Sequence, residues 1–322
     1  MIIAKAPLRV SFAGGGTDLK EFYHAEPGSV TSTAIDKYVY IAIHKYFHNK
    51  LLLKYSQTEI VDSVEEVKNT RIKECLRLVG ISKGIEITVI SDIPAGTGVG
   101  SSSTFTVALL HALHAYKGEH VSAERLAQEA SHIEIEILKE PIGKQDQYIS
   151  AYGGLNFIEF MPDDRVVVTP LICKKETLAK LNDGLLMFYV GGERPASSIL
   201  TEQKEKTEDK RETLRRMKKL SEEIRDSLTA GDMDRFGIAL HQGWMEKKQV
   251  TGKISNSIVD EYYDKGIAAG AKGGKLIGAG GGGFLVFYCD RDKKDKVRLA
   301  LNLKEVNINL DPQGSRVVYV GD

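Results

Sequence analysis

Residues 94–104 read PAGTGVGSSST, three glycines, three serines and two threonines set between two patterned runs. Upstream, GIEITVISDI puts Ile85, Ile87 and Val89 on one face and Glu86 and Thr88 on the other, the alternation of a strand. Downstream, Phe105, Ala108, Leu109, Ala112, Leu113 and Tyr116 recur at three- and four-residue spacing, which predicts an amphipathic helix with one apolar stripe. The glycine-rich run therefore leads into a helix N-terminus, where unpaired N–H groups and roughly half a positive charge of helix dipole favour an anion. No Lys-Ser or Lys-Thr follows its last glycine, so it is not a Walker P-loop. Glycines let the backbone approach phosphate oxygens, and Ser101, Ser102 and Ser103 are more hydroxyls than a helix cap needs. They can donate to phosphate or hold a Mg²⁺ that bridges two phosphates.

The rest of the chain sets the context for that cradle. Its 322 residues predict two domains, divided near residue 180 into units 1–180 and 181–322. Lys plus Arg and Asp plus Glu are both 44, so no basic surplus marks a binder of nucleic acid or anionic membrane, and a small-molecule partner is expected. Cys75, Cys173 and Cys289 are far apart, as in a reduced cytoplasm. MIIAKAPLRVSFAGGG is too short in apolar residues for a signal peptide, and no apolar run reaches membrane-spanning length. The expectation is a soluble cytoplasmic protein, monomer or homodimer.

Further strands are predicted over 2–12, 37–47, 51–55 and 154–160, and helices over 63–79 and 122–139. HIEIEI at 132–137 alternates like a strand, yet Leu126, Ala130, Ile133 and Ile137 continue a helical stripe from Ser122, and the helix is the favoured reading. LLMFYVGG opens a second block. The charged run TEQKEKTEDKRETLRRMKKLSEEIRDSL reads as a solvated helix packed on one side through Leu214, Leu220, Ile224 and Leu228. Helices around Trp244 and over 255–271 follow, then a second glycine-rich run, the strand FLVFYC, a helix over 292–303 and a closing strand, RVVYV.

The second glycine run, LIGAGGGGFLVFYC, contains G-x-G-x-x-G at Gly278, Gly280 and Gly283 but opens into a strand. A dinucleotide fingerprint must open a helix, so a Rossmann oxidoreductase is excluded. Close backbone approach to substrate or to the first loop is the physical alternative. A third signal, HIEIEILKEPIGKQDQYIS, carries Glu134, Glu136 and Glu140 ahead of a Pro-Ile-Gly turn and Asp146 beyond it. A carboxylate there could act as a base, and one on the preceding helix could complete a metal site.

Taken together, APLRVSFAGGGTD (6–18), PAGTGVGSSST (94–104) and KLIGAGGGGF (275–284) resemble, in order, the three motifs of the GHMP kinases, the superfamily of galactokinase, homoserine kinase, mevalonate kinase and phosphomevalonate kinase. The resemblance implies two α+β domains with the active site in the cleft between them, a left-handed β-α-β unit in the N-terminal domain and a ferredoxin-like C-terminal domain. It implies ATP on the loop of Pro94, Gly96, Thr97, Gly98, Val99, Gly100, Ser101, Ser102 and Ser103, and Mg²⁺ held by Ser102 and Glu134. Asp146 matches the catalytic aspartate and Arg9 the arginine beside it. Asp18 matches a sugar-binding residue, with Gly15, Gly16, Thr17, Gly280 and Gly281 expected around the substrate. KYSQTEIVDSVEEVK (54–68) is the expected neighbour of adenine, with Tyr55 as a possible wall.

Galactokinases carry Gly-Glu-His-Thr-Asp in the first motif, whereas this chain has Gly14-Gly15-Gly16-Thr17-Asp18. Two side chains are missing, which implies room and free N–H groups for a longer sugar or one ending in an anion. The motif set looks most like the D-glycero-D-manno-heptose 7-phosphate kinases, with fucokinases close behind. That resemblance implies transfer to the anomeric hydroxyl of the heptose phosphate, giving a 1,7-bisphosphate. A fucokinase- or galactokinase-like sugar 1-kinase is the alternative, and an inactive nucleotide- or protein-binding module a third reading. For a substrate phosphate, Lys144, Arg194, Lys247, Lys248 and Lys275 are candidates, and Arg194 is favoured because its fork grips phosphate bidentately.

Overall fold

The computed structural model describes residues 1–191 and 196–321. The chain opens with β1 (Ile2–Ala13), a one-turn α1 (Lys20–Tyr23) and the long β2 (Gly28–Lys45), followed by a hairpin of β3 (Leu51–Lys54) and β4 (Thr58–Val61). Next come α2 (Thr70–Val79), β5 (Ile85–Ser91), α3 (Ser101–Tyr116), α4 (Ala123–Ser131), α5 (Gln145–Tyr152), β6 (Leu155–Phe160) and β7 (Val166–Pro170). These strands form one sheet in the order β12-β1-β2-β5-β3-β4, with β6 and β7 branching from β2, where β12 (Arg316–Val320) is the last strand of the chain. β3 and β5 run parallel and are linked through α2, which makes a β-α-β unit.

The second half contributes α6 (Lys175–Gly184), β8 (Leu185–Gly191), α7 (Ala196–Glu205), α8 (Arg211–Ala230), α9 (Met233–Lys248), α10 (Ser257–Ala268), β9 (Gly273–Leu276), β10 (Gly283–Tyr288), α11 (Lys294–Leu301) and β11 (Lys304–Glu305). Its sheet is antiparallel in the order β11-β8-β10-β9. The fold is thus mixed α and β around two sheets, and the larger apolar cluster runs across both halves, joining β1 and β2 to Ile224 and Leu228 of α8, Phe236 and Leu240 of α9 and Phe284 of β10.

Four departures from the sequence pattern have physical causes. β2 begins nine residues earlier than its apolar alternation indicates, because GSVTSTA pairs with β6 while the later half of the same strand pairs with β5. The expected helix over 63–79 starts only at Thr70, where the Asn69 side chain accepts from the Ile72 N–H and caps it. α3 is not amphipathic but buried nearly all round, since its hydroxyls find partners inside: Thr104 bonds Ser150 at 2.7 Å and Thr106 bonds Glu134 at 2.8 Å. A C-terminal unit running to residue 322 also needs amendment at its end. β12 pairs with β1, Ile2 opposite Val320, and covers what would otherwise be an open sheet edge.

The charged run becomes α7 and α8. Leu214, Met217, Leu220, Ile224 and Leu228 are buried on α8, and Thr31 Oγ1 of β2 donates to the Ser221 carbonyl at 2.7 Å. Phe12 of β1 meets Phe236 of α9 edge-on at 5.2 Å. These contacts draw the second half against the first sheet, and a cavity lined by residues of both halves lies along that seam. Among the described residues, no helix is long and apolar enough to cross a membrane.

Candidate active site

Arg9 projects from β1 and Asp146 from the first turn of α5. The guanidinium grips the carboxylate with two parallel bonds, Nε to Oδ1 at 2.7 Å and Nη2 to Oδ2 at 2.8 Å. The third arm of the fork, Nη1, donates to the Gly98 carbonyl at 2.5 Å, and the Arg9 N–H donates to the Val99 carbonyl at 3.2 Å. One arginine therefore ties the aspartate to the glycine loop. Asp146 keeps its open side toward a cavity of about 600 Å³, a size suited to a small-molecule substrate.

Gly96, Gly98 and Gly100 all have positive φ, and Gly100 is the left-handed residue that starts α3. The second glycine run packs directly on this loop: a Cβ on Gly278 would lie 2.3 Å from the Gly98 Cα, and one on Gly283 would lie 2.2 Å from the Thr97 carbonyl oxygen. Side chains are excluded there by contact between two backbones. Gly96, Gly98, Gly100 and Ser101–Ser103 line the cavity, as do Gly278 and Gly280.

Behind this wall Glu134 is completely buried. It lies where α4 widens into a π-helical turn over 132–137, in which the Leu138 N–H reaches back to the Ile133 carbonyl at 2.9 Å. That turn continues the helix favoured for HIEIEI and faces both Ile133 and Glu134 inward. Four donors surround the carboxylate: Arg71 Nε at 3.2 Å and Thr106 Oγ1 at 2.8 Å on one oxygen, Ser103 Oγ at 2.8 Å and Gln147 Nε2 at 2.5 Å on the other. Arg71 also holds Glu140 through Nη2, at 2.5 Å. Burial pushes the Glu140 carboxyl above the usual range, against the pull of Arg71.

Ser103, not Ser102, is the hydroxyl that bonds Glu134 directly. On a helix, successive side chains point about 100° apart, so Ser103 turns to Glu134 while Ser102 is exposed at the cavity. Asp18 also lines the cavity, accepting from the Gly16 N–H at 2.8 Å and the Gln145 N–H at 3.3 Å. Burial raises its carboxyl above the ordinary value, partly offset by the bond from Gly16.

The room expected at Gly15 and Gly16 is narrowed, although both glycines line the cavity, and one of the two N–H groups is engaged. The Gly16 N–H is taken by Asp18. A Cβ on Gly16 would lie 2.3 Å from Gln203 Nε2, and one on Gly15 would lie 3.3 Å from Gln145 Nε2. Two carboxamides occupy the positions the glycines vacate, and both line the cavity.

Several expected contacts lie elsewhere. Thr17 is fully buried, its Oγ1 donating to the carbonyls of Gly14 at 2.8 Å and Ser29 at 3.0 Å, so it pins the turn and does not line the cavity. Thr97 bonds the Pro94 carbonyl, Val99 is buried, and the Gly281 N–H is taken by the Ile254 carbonyl. Tyr55 is not on the cavity wall, because its hydroxyl donates to Glu59 at 2.5 Å beside the β3–β4 hairpin. Arg194 lies outside the described residues. Arg71, Gln145 and Gln203 were not legible in the sequence as site residues: each stands in an ordinary helical pattern and reaches the cavity only through packing.

Two models of known families match this chain in order: the GHMP kinases N terminal domain over residues 47–154 and the GHMP kinases C terminal domain over residues 224–307. The chain belongs to the GHMP kinases. As a member it is an ATP-dependent small-molecule kinase. It is 28% identical over 321 residues to the D-glycero-alpha-D-manno-heptose 7-phosphate kinase of Campylobacter jejuni, covering 94% of each chain. A solved D-glycero-D-manno-heptose 1-phosphate kinase from Bacteroides thetaiotaomicron is 25% identical and superposes with a TM-score of 0.84 over the whole of both chains. The galactokinase of Pyrococcus furiosus is 26% identical, covering 91% of this kinase and 90% of its own length.

Proposed function

We propose that this kinase transfers the γ-phosphoryl group of ATP to the anomeric hydroxyl of D-glycero-D-manno-heptose 7-phosphate, giving the 1,7-bisphosphate. The observation that carries the phosphotransfer reading is the Arg9–Asp146 pair, hydrogen-bonded into the glycine loop and open to the cavity. The sugar phosphate as acceptor is supported by the heptose phosphate kinase relatives.

Phosphoryl transfer asks mainly for position and charge neutralisation. The loop from Gly96 to Gly100 and the α3 N-terminus present backbone N–H groups to the nucleotide phosphates. Asp146 accepts the proton of the attacking hydroxyl, a contribution on the order of a hundred- to ten-thousand-fold. Arg9 sets the direction of the carboxylate and adds positive charge beside the transferring group. Asp18, Gln145 and Gln203 bond the sugar hydroxyls. Arg194 remains the favoured grip on the sugar's own phosphate.

Ser102 Oγ, exposed at the cavity, fits Mg²⁺ as an oxygen donor that leaves coordination for phosphates and water, whereas the oxygens of Glu134, behind it, accept from four donors. Ser102 and Glu134 would hold the ion, with Ser103 yielding its bond to the carboxylate. When bound, Mg²⁺ neutralises charge on the β- and γ-phosphates.

The test is ATP-dependent turnover on D-glycero-D-manno-heptose 7-phosphate, mannose 6-phosphate, L-fucose, galactose, homoserine and mevalonate, with the site of phosphorylation read by NMR. The heptose phosphate is expected to react best, at the anomeric position. If fucose or galactose leads the panel, the acceptor assignment is overturned in favour of an unphosphorylated sugar.

A further inference from the structure

The second half of the chain sends two lysines to the cavity. Lys247 is in the last turn of α9 and Lys275 lies on β9; both line the cavity and both are buried. Neither finds a carboxylate within salt-bridge distance among the described residues. Lys247 Nζ donates to the Gly278 carbonyl, and Lys275 Nζ donates to the Phe12 carbonyl at 3.0 Å.

The charged groups facing this pair are Arg9 on β1, Asp18 in the turn after β1 and Asp146 on α5. Asp146 is already in the Arg9 fork, and Asp18 is held by two backbone N–H groups. A buried ammonium that meets only carbonyls and another cation is poorly compensated. Burial, with Arg9 nearby, pulls the Lys247 ammonium down to about 8, and burial with Lys247 and Arg9 pulls Lys275 well below its usual range. The first glycine loop touches this corner, since Lys247 bonds the carbonyl of Gly278, whose Cα packs on Gly98.

We propose that Lys247, backed by Lys275, is an anion seat in which a phosphate group becomes the missing partner of the ammonium. The seat rests on the phosphotransfer reading but not on which sugar is the acceptor. Two phosphates could enter it, the terminal phosphoryl group of the nucleotide or the phosphate of the acceptor. Either one, on binding, restores the proton to Lys247, so binding at alkaline pH takes up protons.

Calorimetry on the full chain with Lys247→Met and Lys247→Arg separates the sources. The probes are ADP against the β,γ-imido analogue of ATP, and D-glycero-D-manno-heptose 7-phosphate against its unphosphorylated parent. Loss of a charge partner inside a desolvated site should cost at least about thirtyfold in affinity. If Lys247→Met erases the preference for the imido analogue over ADP, the seat takes the transferred group. If it erases the preference for the phosphorylated heptose, the seat takes the acceptor's phosphate.

Lys247→Arg should keep whichever preference is lost. Repeating the wild-type titration at pH 8.5 in buffers of different ionisation enthalpy should show proton uptake. Both preferences staying within twofold in folded Lys247→Met overturn the seat. Should that variant not fold, absence of wild-type proton uptake overturns it. Failure of the heptose assignment reads differently, as wild-type protein that does not bind the heptose phosphate at all.

Discussion

The two walls of the cavity handle buried charge in opposite ways. On the first-half side three carboxylates have strong partners: Asp146 in the fork of Arg9, Glu134, behind the wall, among four donors, and Glu140 on Arg71. On the second-half wall, Lys247 and Lys275 face carbonyls. A wall whose charges are satisfied holds its shape without ligand, whereas a wall of poorly compensated cations gains most when an anion arrives. The comparison suggests that the first wall presents the reacting groups in fixed positions, and that the second supplies the electrostatic gain of binding.

The largest effect should come from breaking the first wall at its reacting group. Asp146→Asn keeps the shape and one bond acceptor but cannot take a proton, so turnover should fall at least about a hundredfold while nucleotide binding is retained; the melting temperature should also drop, because buried Arg9 loses its counter-ion. Near-normal turnover would remove Asp146 from the role of base.

Next in size is the contrast between adjacent hydroxyls. Ser103→Ala removes a donor from fully buried Glu134 and should destabilise the protein by about 1–3 kcal/mol, read by chemical denaturation. Ser102→Ala, at an exposed position, should leave stability unchanged within about 0.5 kcal/mol yet raise the Mg²⁺ concentration needed for half-maximal activity. The reverse pattern would show that the two hydroxyls have exchanged roles.

The smallest effect sharpens the second wall. Lys247 sits near 8 in the folded protein, below the ordinary lysine value of about 10.4. Between those values the unfolded chain binds more protons than the folded one, so this group makes the unliganded protein more stable as pH rises through that window and least stable below it. The Lys247 contribution to the slope is at most about 1.4 kcal/mol per pH unit and should be missing from Lys247→Met, which keeps only what Lys275 adds. Parallel stability–pH curves for the two proteins between pH 8 and 10 would show that the ammonium is better compensated than the geometry indicates.

The comparison also explains what could be read without coordinates. The cradle at 94–104, the glycine run at 275–284 and the Asp146 position are local: each depends on which residues neighbour one another in the chain, on glycine's access to positive φ and on a helix start that needs an anion. Those rules act over a few residues, so the motifs, their order and the family they resemble were legible. The helix over HIEIEI was legible too, because the stripe from Leu126 to Ile137 outlasted the short alternation.

What lay beyond the sequence depended on distance in space. Ser102 and Ser103 are equivalent as letters, and only the direction of α3 against the π-helical turn decided which one meets Glu134. Glycines at 15 and 16 suggest open room, but Gln145 and Gln203 arrive there from α5 and α7 and fill it. Arg71 looks like a solvated helix charge until packing takes water away from it, and Lys247 and Lys275 stand in the sequence only as two among several basic candidates until their burial sets them apart. By itself, then, the sequence determined the two glycine loops and the family, because backbone conformation is set by near neighbours. The tertiary structure alone decided which charges were buried and with which partners, because desolvation is a property of the packed molecule and of no segment within it.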